Sequence, residues 1–413
     1  MIKPNRNYIP RPLYIERIRP FIGQDIIKVI TGQRRVGKSY LLYQLMDMFA
    51  TLDAEASIIY INKELNEFSG ITTFKELLDY VHQIEKGAQR TYLLIDEVQD
   101  IMDFEKALRS LQAEGSYDIY CTGSNASMLS GELATYLSGR YVEIKIFGLS
   151  YSEFLTFHQR PDSVQVFTEY LKKGGLPYLI HLPEEEIIVY EYLRNIYNTI
   201  LYKDVIARHG VRNIPFLENL VKFLSGNTGS LVSAKRISDF LKSQRINIST
   251  QVVLNYLRYL ESAFFIFKVS RADITGRKIF EVGEKYYFED LGLRNSVIGY
   301  RAADIGKMLE NIVFIHLKIA GFTIYVGKTG DKEVDFICEK EGERIYVQVC
   351  YLLSNAETIQ REYASLIEIP DNYPKYLLSM DEIGKTTSYR GIEHVHIKDF
   401  CLKLTTAQNK ADT

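Results

Sequence analysis

Gly32, Gln33, Arg34, Arg35, Val36, Gly37, Lys38 and Ser39 satisfy the pattern G-x-x-x-x-G-K-[ST] at every fixed position, and no other stretch restricts the fold so tightly. The flanks agree with it. Residues 26–31 form a β-branched run that ends at the loop, and residues 39–46 continue with apolar residues at helical spacing. Strand, glycine loop and helix are the arrangement that turns successive backbone N–H groups inward onto phosphate oxygens, with the helix N-terminus adding about half a positive charge. Lys38 is then expected to reach the β- and γ-phosphates, and Ser39 to place its hydroxyl on Mg²⁺. The nucleotide-binding stretch is read as Gly32 through Ser39 together with Tyr40 in the first helical turn.

Beyond this loop, strand-like and helix-like segments alternate: a strand at 57–62, a helix at 74–81, a strand at 91–97, further strands at 118–122 and 142–146. Such alternation predicts an α/β fold with a parallel sheet. The strand at 91–97 closes on Asp96 and Glu97, and a carboxylate at the C-terminal end of a parallel strand faces the phosphate crevice. Asp96 is therefore expected to hold Mg²⁺, with Glu97 orienting or deprotonating the attacking water. Ser124 and Asn125 follow the next strand, where a sensor of the γ-phosphate would sit. Arg140 precedes the last strand and is a candidate for neutralising transition-state charge, in its own subunit or in a neighbour's.

Taken in order, the glycine loop, the run from Leu93 to Gln99, the cluster Thr122, Gly123, Ser124, Asn125 and the pair Gly139, Arg140 resemble the AAA-type ATPase domain of a large prokaryotic group related to the STAND signalling ATPases. Gly174, Gly175, Leu176 and Pro177 are similar to a G-x-P element that lies in a small helical lid in those relatives, with the proline near the adenine. The resemblance implies a P-loop NTPase sheet of order 5-1-4-3-2, ATP and Mg²⁺ as ligands, ATP hydrolysis and an ATP-controlled lid that uses Gly175 and Pro177.

At 413 residues the chain is too long for one ordinary core. It divides into an ATPase domain at 1–150, a helical lid and connector at 151–215, a winged-helix-like region at 216–300 and a C-terminal domain at 301–413. With 50 basic against 52 acidic residues the formal charge is −2, so no global field recruits nucleic acid or an anionic membrane. Cys121, Cys338, Cys350 and Cys401 lack paired spacing, which argues against a zinc site or a disulfide framework and fits a reducing cytoplasm. Residues 1–6 lack an apolar core, and no run approaches the roughly 20 apolar residues of a membrane span, so no leader and no membrane association are expected.

In the middle region, residues 184–208 read as one long packing helix, and residues 233–241 and 249–260 as a helix-turn-helix pair whose second member opens on a Ser cap. Strands at 264–269 and 285–288 would flank a wing at 270–278. If this module binds DNA, then Ser249, Thr250, Gln251 and Asn255 face bases or phosphates, and Arg271, Arg277 and Lys278 face the backbone. If it is structural, it carries protein contacts or lid movement.

The C-terminal domain resembles the PD-(D/E)XK nuclease fold: an amphipathic helix with Glu310, a hairpin strand with Asp335, then a strand with Gln348 and Cys350. In active members two carboxylates hold a divalent metal and a lysine aids water activation. Here Gln348 and Cys350 stand at the positions of the second acid and the lysine, so nuclease activity is not expected. His394 and His396 alternate on a later strand and read as a solvated face. The sequence as a whole predicts an AAA-type ATPase whose lid movement changes how the other modules engage an unidentified protein partner, in a possible homo-oligomer. DNA processing and a non-hydrolysing nucleotide switch remain as alternatives.

Overall fold

Residues 8–53, 56–84, 90–126, 137–243, 248–274, 283–382 and 387–406 are described by a computed structural model. Arg277 and Lys278 lie outside them. Two compact units emerge: Met1–Phe147 with Ser262–Phe264, and Gly148–Glu261 with Phe265–Thr413.

The β-branched run before the glycine loop is buried along its whole length as β1 (Ile27–Thr31), the pattern of a strand covered on both faces. It sits inside a sheet with β2 (Ser57–Asn62), β3 (Thr91–Asp96), β4 (Tyr117–Gly123) and β5 (Tyr141–Lys145), all parallel and in the spatial order β2-β3-β4-β1-β5. That is the 5-1-4-3-2 order implied by the AAA resemblance. Helices α1 (Pro12–Ile18), α2 (Lys38–Leu52), α3 (Phe74–Ile84) and α4 (Phe104–Glu114) accompany it. One core cluster joins Val29, Ile61, Leu93 and Cys121 of the strands to Leu77 and Val81 of α3 and Leu108 and Leu111 of α4. The registers Asn62↔Asp96 and Thr31↔Gly123 bring the C-terminal ends of β1 to β4 to a common edge of the sheet. Near the other edge Lys28 is fully buried, with Nζ 2.6 Å from Asp118 Oδ1 and 3.0 Å from the Gln24 carbonyl. Burial pushes the Lys28 ammonium down in pKa and Asp118 opposes this.

The second unit begins with α5 (Tyr151–Phe157), whose N-terminus is closed by a capping box between Ser150 and Glu153, and α6 (Val164–Lys173). The expected long helix is present as α7 (Glu186–Thr199), but Ile200–Ala207 continues it with wider π-type turns. Then come α8 (Ile214–Gly226), α9 (Ala234–Ser243), α10 (Thr250–Ser262) and the antiparallel strands β6 (Ile266–Val269) and β8 (Lys285–Phe288). The helix pair and the two flanking strands follow the sequence expectation. The wing does not. Arg271 lies in β7 (Arg271–Asp273), which leaves the hairpin and pairs in parallel with a strand of the C-terminal sheet.

After α11 (Leu291–Ile298) and α12 (Ile305–Ile319), that sheet is built from β9 (Thr323–Thr329), β10 (Lys332–Lys340), β11 (Glu343–Val349), β12 (Lys375–Ser379), β13 (Thr387–Tyr389) and β14 (Ile392–His396). Its order is β13-β14-β12-β11-β10-β9-β7, with α13 (Ala356–Ile367) between β11 and β12 and α14 (Ile397–Thr406) at the end. His394 is buried and 2.8 Å from the Ser379 hydroxyl, and His396 Nδ1 accepts from the Lys398 N–H, so neither forms the solvated face expected. Strand β12 lies alongside β14 and supplies Ser379 in register with His396, which closes off that face.

Asp290 fastens the segment after α6 to α11. Its carboxylate accepts from Leu293 N at 2.9 Å as an N-cap and from Gly175 N at 2.7 Å. Glycine is required on both sides of this contact: a Cβ on Gly174 would lie 2.4 Å from both Asp290 oxygens, and one on Gly292 would lie 2.0 Å from the Lys173 carbonyl. Burial pushes the Asp290 carboxyl up to about 6 against the pull of the N–H donors of Gly175, Leu293 and Gly292. Asp290→Ala removes the cap, worth ~1 kcal/mol, and strands two buried donors at ~1 kcal/mol each. The unfolding transition of this unit in urea should therefore lose about 3 kcal/mol, whereas Asp290→Asn, which keeps an acceptor oxygen, should lose less than half of that; an unchanged midpoint in Asp290→Ala would contradict the assignment.

Candidate nucleotide site

The loop between β1 and α2 owes its shape to two glycines. Gly32 has φ +155°, and a Cβ there would stand 2.3 Å from the Ile146 carbonyl oxygen, so backbone would have to move to admit one. Gly37 has φ +100° and forms the N-cap of α2, so the chain turns sharply into the helix. Arg35 takes φ +72° and is exposed, while Gln33, Arg34, Val36 and Lys38 are buried. Two contacts made by distant residues brace the loop. Arg11 donates to the Val36 carbonyl at 2.9 Å and to the Phe147 carbonyl at 3.0 Å. Gln33 donates to the Phe264 carbonyl at 3.0 Å, across 231 positions of sequence.

Lys38 is the first residue of α2, and its ammonium lies 3.1 Å from the carbonyls of Gly32 and Gln33 and 3.6 Å from Glu97 Oε1. Ser39 hydrogen-bonds Asp96, the last residue of β3, and Thr122 of β4 donates to the same carboxylate. Tyr60 of β2 donates to the other Asp96 oxygen at 3.3 Å. Burial raises the Asp96 pKa, and the Ser39 and Thr122 hydroxyls oppose that rise. Glu97 takes the left-handed conformation at φ +56°, with its N–H donating to Thr122 Oγ1 at 2.9 Å. That turn aims its carboxylate at Lys38 and at Ser124, whose hydroxyl donates at 3.0 Å, and Gln99 donates to it as well. Burial would raise the Glu97 pKa, but Lys38, Gln99, Arg34 and Ser124 outweigh it and hold the carboxyl below the ordinary value. Asn125 is fully buried beside Ser124.

The structure thus brings Gly32, Gln33, Arg34, Val36, Gly37, Lys38, Ser39, Asp96, Glu97, Ser124 and Asn125 to one end of the sheet. Tyr40 is half exposed on α2 and packs edge-on to Tyr43. Arg140 is elsewhere. It is exposed in the turn before β5, and its carbonyl accepts from Ile27 N at the start of β1. The length of the five-residue β5, about 16 Å, separates it from the edge that carries the loop. Gly175 and Pro177 belong to the second unit, where the Gly175 N–H is committed to Asp290 and Pro177 opens a 3₁₀ turn. The sequence assigns no role to Arg11 and Tyr60, which act through a long-range contact and a strand register, nor to Gln99 and Thr122, although Gln99 lies two residues from Glu97 and Thr122 near the end of β4.

Hard oxygen ligands suit a magnesium ion, and Ser39 and Asp96 supply a hydroxyl and a carboxylate already in contact. Among the described residues no helix is long and apolar enough to cross a membrane, and no group of three or more His, Cys, Asp or Glu is arranged to hold a metal ion.

Residues 24–155 match the family model of an AAA domain, and residues 164–304 match that of a domain of unknown function. Over 403 residues, 96% of this chain and 99% of the relative, the sequence is 36% identical to an uncharacterized protein of Haemophilus influenzae. An uncharacterized protein of Methanocaldococcus jannaschii is 32% identical over 361 residues, 83% of this chain and 79% of its own length. Among solved structures, the Walker-type ATPase of Pyrococcus abyssi is similar with a TM-score of 0.49 at 14% identity, covering 72% of this chain and 100% of that one. The chain therefore belongs to the same family as the Haemophilus influenzae and Methanocaldococcus jannaschii proteins and carries an AAA-type ATPase domain in its N-terminal part.

Proposed function

We propose that this protein is a magnesium-dependent ATPase whose nucleotide state governs how its second unit engages a protein partner. The observation that carries the reading is the single buried network of Lys38, Ser39, Asp96, Glu97, Thr122 and Ser124 at the end of the sheet where the glycine loop opens. Lys38 is placed to exchange its loop carbonyls and Glu97 for phosphate oxygens. Glu97, held ionised by its neighbours, is a competent acceptor for a proton from water, and Ser124 fixes its direction. Ser39 and Asp96 would hold magnesium, which when bound with ATP neutralises charge on the β- and γ-phosphates.

Coupling to the second unit rests on Gln33. A phosphate-loop side chain that grips the Phe264 carbonyl links the loop to the short segment Ser262–Phe264, which packs with the ATPase unit between two stretches of the other. Phe264 itself holds φ +53°, an uncommon conformation for a large side chain. In the lid, Gly175 donates its N–H to Asp290 and lies so close to the Leu149 carbonyl that a Cβ would stand 2.6 Å from it, and Pro177 opens the 3₁₀ turn that follows. A protein partner is favoured over DNA because the second helix of the helix pair, α10, carries one basic residue, Arg258, and its Gln251 amide is hydrogen-bonded to Asn255. Arg140, at the far edge of the sheet, would serve catalysis only from a second copy of the chain.

Lys38→Ala should weaken ATP binding by about tenfold or more, read by titration calorimetry; unchanged affinity would remove Lys38 from the phosphates. Glu97→Gln should leave ATP affinity within about threefold while lowering kcat by ~10²–10⁴, and turnover at the wild-type rate would exclude the proton-acceptor role. For Arg140, turnover per chain should rise with protein concentration in the wild type and become flat and low in Arg140→Ala. Concentration-independent activity in both would sink a role in trans.

A further inference from the structure

Three carboxylates of the C-terminal domain converge on one atom, the Nζ of Lys285 on β8. Glu310 Oε1 of α12 lies 2.8 Å away, Glu333 Oε1 of β10 lies 2.9 Å away and Asp335 Oδ1 of β10 lies 3.1 Å away. Lys285 is 3% exposed, and its neighbour Tyr287 donates to the same Glu310 oxygen at 2.6 Å. We infer that Lys285 is the resident cation of this cluster, holding the place that a divalent ion would need, so that the carboxylates fasten β8 to α12 and β10 and bind no metal.

Much of what surrounds the cluster is already committed to hydrogen bonds. Asp335 Oδ2 accepts from Val349 N at 3.0 Å, so both of its oxygens are committed. Gln348 spends its carbonyl oxygen on Asp335 N at 3.2 Å, and its amide nitrogen donates to Glu362 at 3.0 Å. Cys350 directs its thiol to the Leu378 carbonyl at 3.6 Å. On the open side of Glu310, Gly229 presses so close that a Cβ there would stand 3.0 Å from Oε2 and 3.1 Å from Oε1, and its φ of +68° keeps the position for glycine. Magnesium prefers to retain several waters in an octahedral shell about 2.1 Å in radius, and at this cluster it would have to displace the buried Lys285 ammonium. The ammonium group donates to Glu310 and Asp335 and has Glu333 as a third ion-pair partner, so its charge is matched on three sides. Burial alone would push the Lys285 pKa down, but Glu310, Tyr287, Asp335 and Glu333 together hold it well above the ordinary value, so the group is charged. The cluster also accounts for the packing of the β6–β8 hairpin with α12 and β10 in one unit: Lys285 and Tyr287, alternate residues of one strand, both reach Glu310.

The test uses the full-length chain with Ser39→Ala and Asp96→Asn, which silence the nucleotide site's own metal ligands, and Mn²⁺ as the probe followed by electron paramagnetic resonance. In that background, adding Asp335→Asn should leave Mn²⁺ binding unchanged, because Lys285 already fills the cluster. A stoichiometric Mn²⁺ site that Asp335→Asn abolishes would overturn the inference. Lys285→Met leaves three carboxylates together without their counter-charge, so the urea midpoint of the second unit should fall, and a Lys285→Met chain whose midpoint is unchanged would count equally against the inference. Failure of Lys285→Met to fold is the result expected of a fastening cation, and the first comparison then decides.

Discussion

No side chain fits at position 32. The Ile146 carbonyl oxygen occupies the space where a Cβ would be, because β5 runs beside β1 and Ile146 N donates to Thr31 O one residue earlier. The β1–β5 pairing and the loop are therefore one structure, and the rest of the nucleotide site follows from it. With Gly32 turned in that way, Lys38 emerges at the start of α2 facing the end of β3, and Asp96 and Glu97 are the residues that it meets. A larger residue at 32 would have to part β5 from β1 or distort the loop, and either would displace Lys38.

The acidic pair is held by β4 as much as by β3. Thr122 bonds both Asp96 and the Glu97 backbone, and Ser124 two residues on bonds the Glu97 carboxylate. Thr122 near the end of β4 and Ser124 just beyond it thus orient the two acids. Glu97 is kept ionised and Asp96 is raised by burial, so two adjacent carboxyl groups are pushed in opposite directions by their surroundings.

The parallel sheet and most residues at its nucleotide-site end were legible because local signals carry them: the fixed spacing of the glycine loop, buried apolar strands, and acids at a strand end; the strand order came only from the family resemblance. Arg11 and Gln33 were not legible as braces of the loop, since their partners Phe147 and Phe264 lie 136 and 231 positions away. The wing failed for a related reason. Residues 271–273 have β character, but the strand they join, β9, is separated from them by β8 and two α-helices. His394 reads as exposed from its alternation, yet β12 pairs beside β14 and brings Ser379 to it. Glu310 and Asp335 were legible as a pair, whereas Lys285 and Glu333 were visible only once the hairpin was seen against α12 and β10.

The chain therefore joins an ATPase unit with well-defined chemistry to a second unit in which charged groups are spent on packing: Asp290 on backbone N–H groups, Arg294 on Ser225 O and Asp304, and Lys285 on three acids. The most direct measurement is release of inorganic phosphate from ATP by the full-length protein, with Mg²⁺ and with the metal chelated, in the wild type and in Gly32→Ala. The account predicts turnover that requires Mg²⁺ and is lost in Gly32→Ala while the urea transition of the second unit stays in place. Phosphate release that persists in the chelated sample or in a folded Gly32→Ala chain would contradict it.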